Sequence, residues 1–458
     1  MVNKKSLGKS VKLVSNKLNS LVKLRFLLII GSIIHIISTF VVFVIGRSGK
    51  VPQMFNESGA MWKDAIDYFA RFTDLSSNIS GGDFSYFFTN TEQIHVRLYS
   101  ISHFLFAPIT GNNILALEPF NLAIYLLNLS VIFKIGQILF DLKTGFSAAL
   151  VIGLFPTFLL HSTQPLRDPL FILIFFVILL ILISILKETL TLKRFTAALI
   201  ICYLLVIVMW LIREGAYPIY AVEVISMFCL FILKYRQTLK QRFKEILIFG
   251  CFLSLVLTIP FIYKNFQPNN IEVAPKTIEM IKNSRKVLKA KLENQYFSKT
   301  LLIINMTRLK FIGPEMEPGS TIDGDVTFLN IGDVLMFVPR AVLIGTLAPF
   351  PNTWFEQGKS FGKIGRLISA AETFVFYILM ICAAFTIYAY RKSIEVWFLV
   401  FLAFCGTSSL GFFVGNVGTL YRLRYVFWFM LIIIGCRGVF IIMDLISKKY
   451  FKEQKINT

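Results

Sequence analysis

Runs of about 20 apolar residues, the length a helix needs to cross a bilayer, alternate with short polar stretches along almost the whole chain. Ten runs stand out: Phe26 to Ile45, Pro119 to Phe140, Phe146 to Leu160, Leu170 to Leu186, Ala197 to Ile212, Tyr217 to Leu233, Ile246 to Tyr263, Leu367 to Tyr390, Val396 to Val414 and Tyr425 to Ile446. They lack the alternating apolar and polar pattern of outer-membrane barrel strands. The pattern predicts an all-α polytopic membrane protein of about ten transmembrane helices. Two further apolar stretches are too short or too broken to cross easily. One is Leu98 to Thr110; the other is Val334 to Phe350, broken at Pro339-Arg340 and Pro349-Phe-Pro351 and ending at Trp354. Both are expected to be interfacial or re-entrant. They lie in a first loop, 47–117, and a long late segment, 264–366. The rest divides into a basic tail 1–25, an N-terminal transmembrane module 26–263 that includes the first loop, a C-terminal module 367–446 and a tail 447–458.

Composition excludes a soluble domain, which could not hide 56% hydrophobic residues and 47 Phe at a mean hydropathy of +0.69. The formal charge of +21 would suggest nucleic acid in a soluble protein. Here the excess sits in the tails and in loops such as 187–194 and 234–244. The positive-inside rule accounts for it without a nucleic-acid partner and places both termini in the cytoplasm of a cell inner or plasma membrane. All six cysteines lie within apolar runs without metal-ligand spacing, as small core residues do. The first apolar run is too long for a cleavable signal peptide.

The same map gathers the distinctive polar clusters on the exterior side. After the first span, Trp62 to Asp74 reads as a helix with Asp64, Asp67 and Tyr68 at i, i+3 and i+4 on one face, continued by Arg71. Arg167-Asp168 precedes the fourth span, Arg213-Glu214 follows the fifth, and Tyr421, Arg422 and Arg424 precede the tenth. Each has a bland reading. The first is a solvated interfacial helix. Asp168 before Pro169 is a good helix cap. His95 and His103 are ordinary hydrogen-bonding side chains, and Asp323-Gly-Asp325 is a plain turn, not a calcium loop. Convergence on one side favours an extracytoplasmic site. Acids with arginines at span ends suit a substrate with a lipid tail and an interfacial phosphate, because arginine pairs with phosphate through a planar fork. A carboxylate there could act as general base on an acceptor hydroxyl or hold a divalent cation. Polyprenyl-phosphate sugars fit this description.

At these residues the chain resembles the GT-C superfamily of integral-membrane glycosyltransferases. It resembles bacterial proteins similar to the dolichyl-phosphate-mannose protein mannosyltransferases and aminoarabinose transferases. The likeness rests on Asp64-x-x-Asp67-Tyr68 after the first span, and on Asn121 to Gly145 with Asn128 and Phe140-Asp-Leu-Lys-Thr-Gly. It also rests on Pro156 through Arg167-Asp168-Pro169, and on Asn416-Val-Gly-Thr-Leu-Tyr-Arg-Leu-Arg-Tyr before the last span. The resemblance implies that Asp64 or Asp67 is the essential first-loop acid, with the choice left open. It implies substrate-binding roles for Tyr68, Arg167, Asp168, Arg213, Glu214, Tyr421 and Arg422, with the arginines on the donor phosphate or the sugar. The donor would be a polyprenyl-phosphate sugar, and the acceptor a glycan, lipid or protein. Phe69 stands where many relatives have His, and the large soluble C-terminal domain of the oligosaccharyltransferases is missing. Two rival readings remain. One is a polysaccharide polymerase or O-antigen ligase using late-loop arginines such as Arg285, Arg308 and Arg340. The other is a transporter or flippase, against which stand the clustering of charge at one mouth and the lack of paired broken helices.

Overall fold

The computed structural model describes residues 4–49, 55–188, 190–263, 283–289, 292, 297–312, 321–356 and 362–456. In chain order the helices are α1 Lys4–Arg47, α2 Lys63–Ser80, α3 Phe84–Thr89, α4 Ile94–Thr110, α5 Glu118–Leu139, α6 Leu142–Gly153, α7 Pro156–Ser162, α8 Asp168–Lys187 and α9 Leu192–Ile212. They continue as α10 Tyr217–Lys234, α11 Phe243–Tyr263, α12 Ser298–Ile312, α13 Ile331–Leu347, α14 Gly362–Ala389, α15 Ile394–Phe413, α16 Val417–Leu423 and α17 Tyr425–Ile456. Among the described residues nine helices are long and apolar enough to cross a membrane, and the bent pair α6–α7 makes a tenth if it forms one span. The protein is an all-α, multi-pass membrane protein.

The third apolar run departs from the expected straight span. It breaks between α6 and α7 with a bend of 70°. Pro156 sits at the first turn of α7, where its missing N–H costs nothing but a continuous helix through it would lose a hydrogen bond. The bend brings His161 against Trp62 at the start of α2. Both basic tails are helical extensions of their neighbouring spans: α1 starts at Lys4 and α17 runs to Ile456. In the late segment the charged stretch Lys276 to Glu293 reads as an amphipathic helix; residues 283–289 are helical, and the rest lies outside the described residues apart from Leu292, as do the acidic residues Glu315 and Glu317.

The packing centre is the first half of α17. Residues 424–436 are all buried, and Trp428 stacks on Phe376 of α14 at 3.8 Å. The proline-broken late stretch forms α13, which packs tightly on α15. An added Cβ at Gly345 would sit 1.7 Å from the Thr407 carbonyl oxygen, and one at Gly411 would sit 1.9 Å from that of Ala341. Small residues let helices approach closely where lipid offers no hydrophobic drive to associate.

Alternating helix directions sort the turns into two ends. One end holds α2 to α4, the α7–α8 junction, the α9–α10 turn, α12 and α16. The other holds the α5–α6, α8–α9, α10–α11 and α14–α15 turns.

Candidate functional site

The site forms where four separate stretches meet at the first of these ends. Asp64 lies in the first turn of α2, where a carboxylate is favoured by the helix dipole. The start of α2 is pinned by Gln164, whose Oε1 accepts from the Met61 N–H at 2.7 Å. That contact joins the first loop to the loop carrying Asp168. Arg422 on α16 bridges the two acids: its Nη1 is 2.8 Å from Asp64 Oδ2, and its Nε is 3.2 Å from Asp168 Oδ2. Arg213, in extended backbone between α9 and the turn at 214–216, places Nη1 2.7 Å from the other oxygen of Asp168. Asp64, Arg422, Asp168 and Arg213 thus form one continuous chain of charge. Burial alone would depress Arg422, but Asp168 and Asp64 outweigh it and hold its guanidinium above the ordinary range. For Arg213 burial wins, and the group is held below its ordinary range despite Asp168.

Asp168 does not cap α8 as the sequence suggests. Arg167 occupies the cap position, no side chain caps the helix, and both Asp168 oxygens are drawn to arginines. A buried carboxylate gains more from two guanidinium groups than from one backbone N–H. Arg167 itself is half-buried and has no ion-pair partner among the described residues.

Tyr68, one turn beyond Asp64, joins the cluster. Its phenol is pushed up chiefly by burial, with Arg167 opposing the rise and Asp64 and Asp168 adding to it. His95 meets it edge to face at 4.6 Å. His95 is fully buried, neither ring nitrogen has a partner, and burial followed by the charge of Arg167 lowers it to about 3. It is therefore a neutral ring behind Tyr68. His103 sits elsewhere, between Ser76 and Asn112.

The other expected residues separate. Asp67 is exposed and unpaired among the described residues. Glu214 is exposed and stands at the rim of the groove described next, outside the ion-pair chain. Tyr421 is buried and turned away from the acids; its hydroxyl donates to Glu372 of α14. Arg424 is also buried, donating to the Ala348 carbonyl and lying 3.7 Å over the Trp428 ring. Arg308 donates to the Phe412 and Asp323 carbonyls, and Arg340 pairs with the Asp323 carboxylate. Two residues that sequence reasoning left without a role matter here. Gln93 lines the groove with Oε1 buried and unpartnered. Glu372 also accepts from the Thr157 backbone N–H and hydroxyl. A carboxylate inside an apolar run was the signal that could have flagged Glu372.

Beside the charge chain runs a groove of ≈ 800 Å³. Its walls are apolar along the helices, with Trp210, Ile303, Phe311, Phe413 and Phe427 among them. Where the helices end it becomes polar at Arg167, Arg213 and Glu214. Such a shape takes a long apolar chain and holds an anionic head at the arginines. A divalent cation does not fit between the two acids, because the Arg422 guanidinium already bridges them. Among the described residues no three His, Cys, Asp or Glu side chains come together to hold a metal. No known family model matches this sequence, and no curated protein is significantly similar to it.

Proposed function

We propose that this protein is a membrane glycosyltransferase that moves a sugar from a polyprenyl-phosphate donor to an extracytoplasmic acceptor with inversion. The observation that carries the reading is Arg167. It is a guanidinium without an ion-pair partner among the described residues, and it stands at the polar end of an apolar groove beside the Asp64–Arg422 pair. In this reading the prenyl chain lies along Trp210, Phe311 and Phe427, and Arg167 meets the phosphate. The acceptor hydroxyl attacks the anomeric carbon, the carbon–oxygen bond to phosphate breaks, and the phosphate leaves with the electron pair. Arg167 offsets the charge that builds on it. Arg422 takes only Oδ2 of Asp64, so Oδ1 is free to receive the hydroxyl proton. Asp67, unpaired among the described residues and outside the charge chain, is the weaker choice for that base. The basic end of the bundle faces the cytoplasm by the positive-inside rule, which puts the site on the outer side.

Transfer in proteoliposomes loaded with polyprenyl-phosphate sugars tests the reading. Asp64→Asn is expected to abolish transfer while Asp67→Asn and Arg285→Ala stay active. Full activity in Asp64→Asn, with loss at Arg285, would transfer the weight to a polymerase or ligase that works from the late segment. That alternative is weakened by the engagement of Arg308 and Arg340 in holding the fold.

A further inference from the structure

His161 is held in one orientation beside the site, and the function just proposed does not use it. Its Nδ1 lies 2.6 Å from the carbonyl oxygen of Thr157. A carbonyl can only accept, so Nδ1 carries the hydrogen and, in the neutral ring, Nε2 carries the lone pair. The ring is clamped flat against Trp62 at 4.4 Å and meets Tyr425 edge-on at 6.0 Å. Thr157 is itself held, through its N–H at 2.5 Å and its hydroxyl, by the buried carboxylate of Glu372. Three linked contacts therefore fix the direction of one nitrogen, the arrangement by which proteins aim a histidine at a target. Among the described residues no protein group is the target. Nε2 has no partner among the described residues, and His161 is only half-buried, whereas both nitrogens of His95 are sealed in. The charges that act on the ring are those of Arg422, Asp168 and Asp64, so it borders the ion-pair chain.

We infer that His161 is a carbohydrate-binding residue whose Nε2 accepts a hydrogen bond from a hydroxyl of the donor sugar, with Thr157 and Glu372 as its positioning residues. This rests on the lipid-phosphate reading of the site. In such a donor the prenyl chain has no polar hydrogen, and the phosphodiester is ionised and has none either. In that ligand the hydrogens a fixed lone pair can accept are all on the sugar: its hydroxyls and, in N-acetylglucosamine, the amide N–H. The phosphate belongs to Arg167, and the sugar attached to it reaches toward Asp64 and His161.

The test uses the full chain in nanodiscs. Binding of farnesyl phosphate alone is compared with binding of farnesyl phosphate carrying glucose, mannose or N-acetylglucosamine. The variants are His161→Phe, which keeps an aromatic ring against Trp62, and His161→Gln, which restores an acceptor. Farnesyl phosphate should bind all three proteins alike, which also shows that the variants are folded. At least one sugar-bearing lipid should bind wild type roughly tenfold tighter than its sugar-free form, the size of one well-made hydrogen bond. His161→Phe should erase that increment and His161→Gln should recover part of it. An increment that survives in His161→Phe, or no increment for any of the three sugars in wild type, overturns the assignment while leaving the lipid-phosphate reading standing. Failure of wild type to bind farnesyl phosphate at all overturns both.

Discussion

The two ends of the bundle use positive charge in opposite ways. At the far end, cations finish helices. Lys187 donates to the Ile138 and Leu139 carbonyls at the end of α5. Lys234 donates to the Leu186 carbonyl near the end of α8 and pairs with Glu395 at 2.7 Å. Arg437 pairs with Asp141 at 2.5 Å beside the α5–α6 turn. The two lysines neutralise carbonyls that no longer have partners along their own helix, and Arg437 holds the carboxylate that caps α6. In the charge chain at the site end the cations are arginines, Arg422 bridges two aspartates from distant parts of the chain, and Arg167 beside them pairs with no described acid. Lysine is a point charge suited to capping, whereas arginine offers a planar fork that can bridge two acids or grip a phosphate. The contrast teaches that charge at one end serves the fold, and that charge at the other is arranged around a groove that the fold leaves open.

Substitutions can break or sharpen that contrast. Asp168→Asn should have the largest effect, because it removes a buried partner shared by Arg213 and Arg422. The expected loss is about 3–5 kcal/mol, read by thermal unfolding in detergent. Asp141→Asn at the far end, where the carboxylate is 40% exposed, should cost less than about 1 kcal/mol. Equal losses would break the comparison. Arg167→Ala should weaken lipid-phosphate binding and transfer by roughly 10- to 100-fold while leaving the melting temperature unchanged, since no described ion pair is lost. A large fall in stability would show that Arg167 serves the fold like its counterparts at the far end.

Acid should act on the site end through His95. Its ring is held near 3 against an ordinary value of 6.5, so the unfolded chain takes up the proton first. The stability that neutral His95 contributes is complete above the ordinary value and is lost progressively as pH falls from there toward the folded value. At about pH 5 the loss is on the order of 2 kcal/mol. Melting temperatures at neutral and acid pH should therefore diverge more in wild type than in His95→Phe, and an equal divergence would rule this out. The smallest effect on transfer is expected from Lys234→Ala, which leaves the mostly buried Glu395 carboxylate without its cation and should lower the melting temperature with transfer unchanged.

Parts of the site were legible before the structure. Asp64, Arg213 and Arg422 were each visible as charged groups at the ends of apolar runs, and the parity of the runs placed them on one side. Their pairing was not visible. Asp64 and Asp67 are separated by about 4.5 Å along one helix, a difference no periodicity argument can resolve. Only the seat of α2 against Gln164 and Arg422 turns one carboxylate into the charge chain and leaves the other without a described partner. Tyr421 adjoins Arg422 in sequence, yet successive residues on a helix point in different directions, and Tyr421 goes to Glu372 instead.

What the sequence determined by itself is therefore the set of apolar spans, because hydrophobicity over a span of about 20 residues is a local property that lipid reads directly. The tertiary structure decided the rest. It bent the third span at Pro156, drew Asp168 from a cap into an arginine pair, aimed His161, and left a groove beside Arg167. Each of these depends on a partner far away along the chain. The energy of a buried charge or a fixed hydrogen bond is set by the atoms around it, not by its neighbours in sequence.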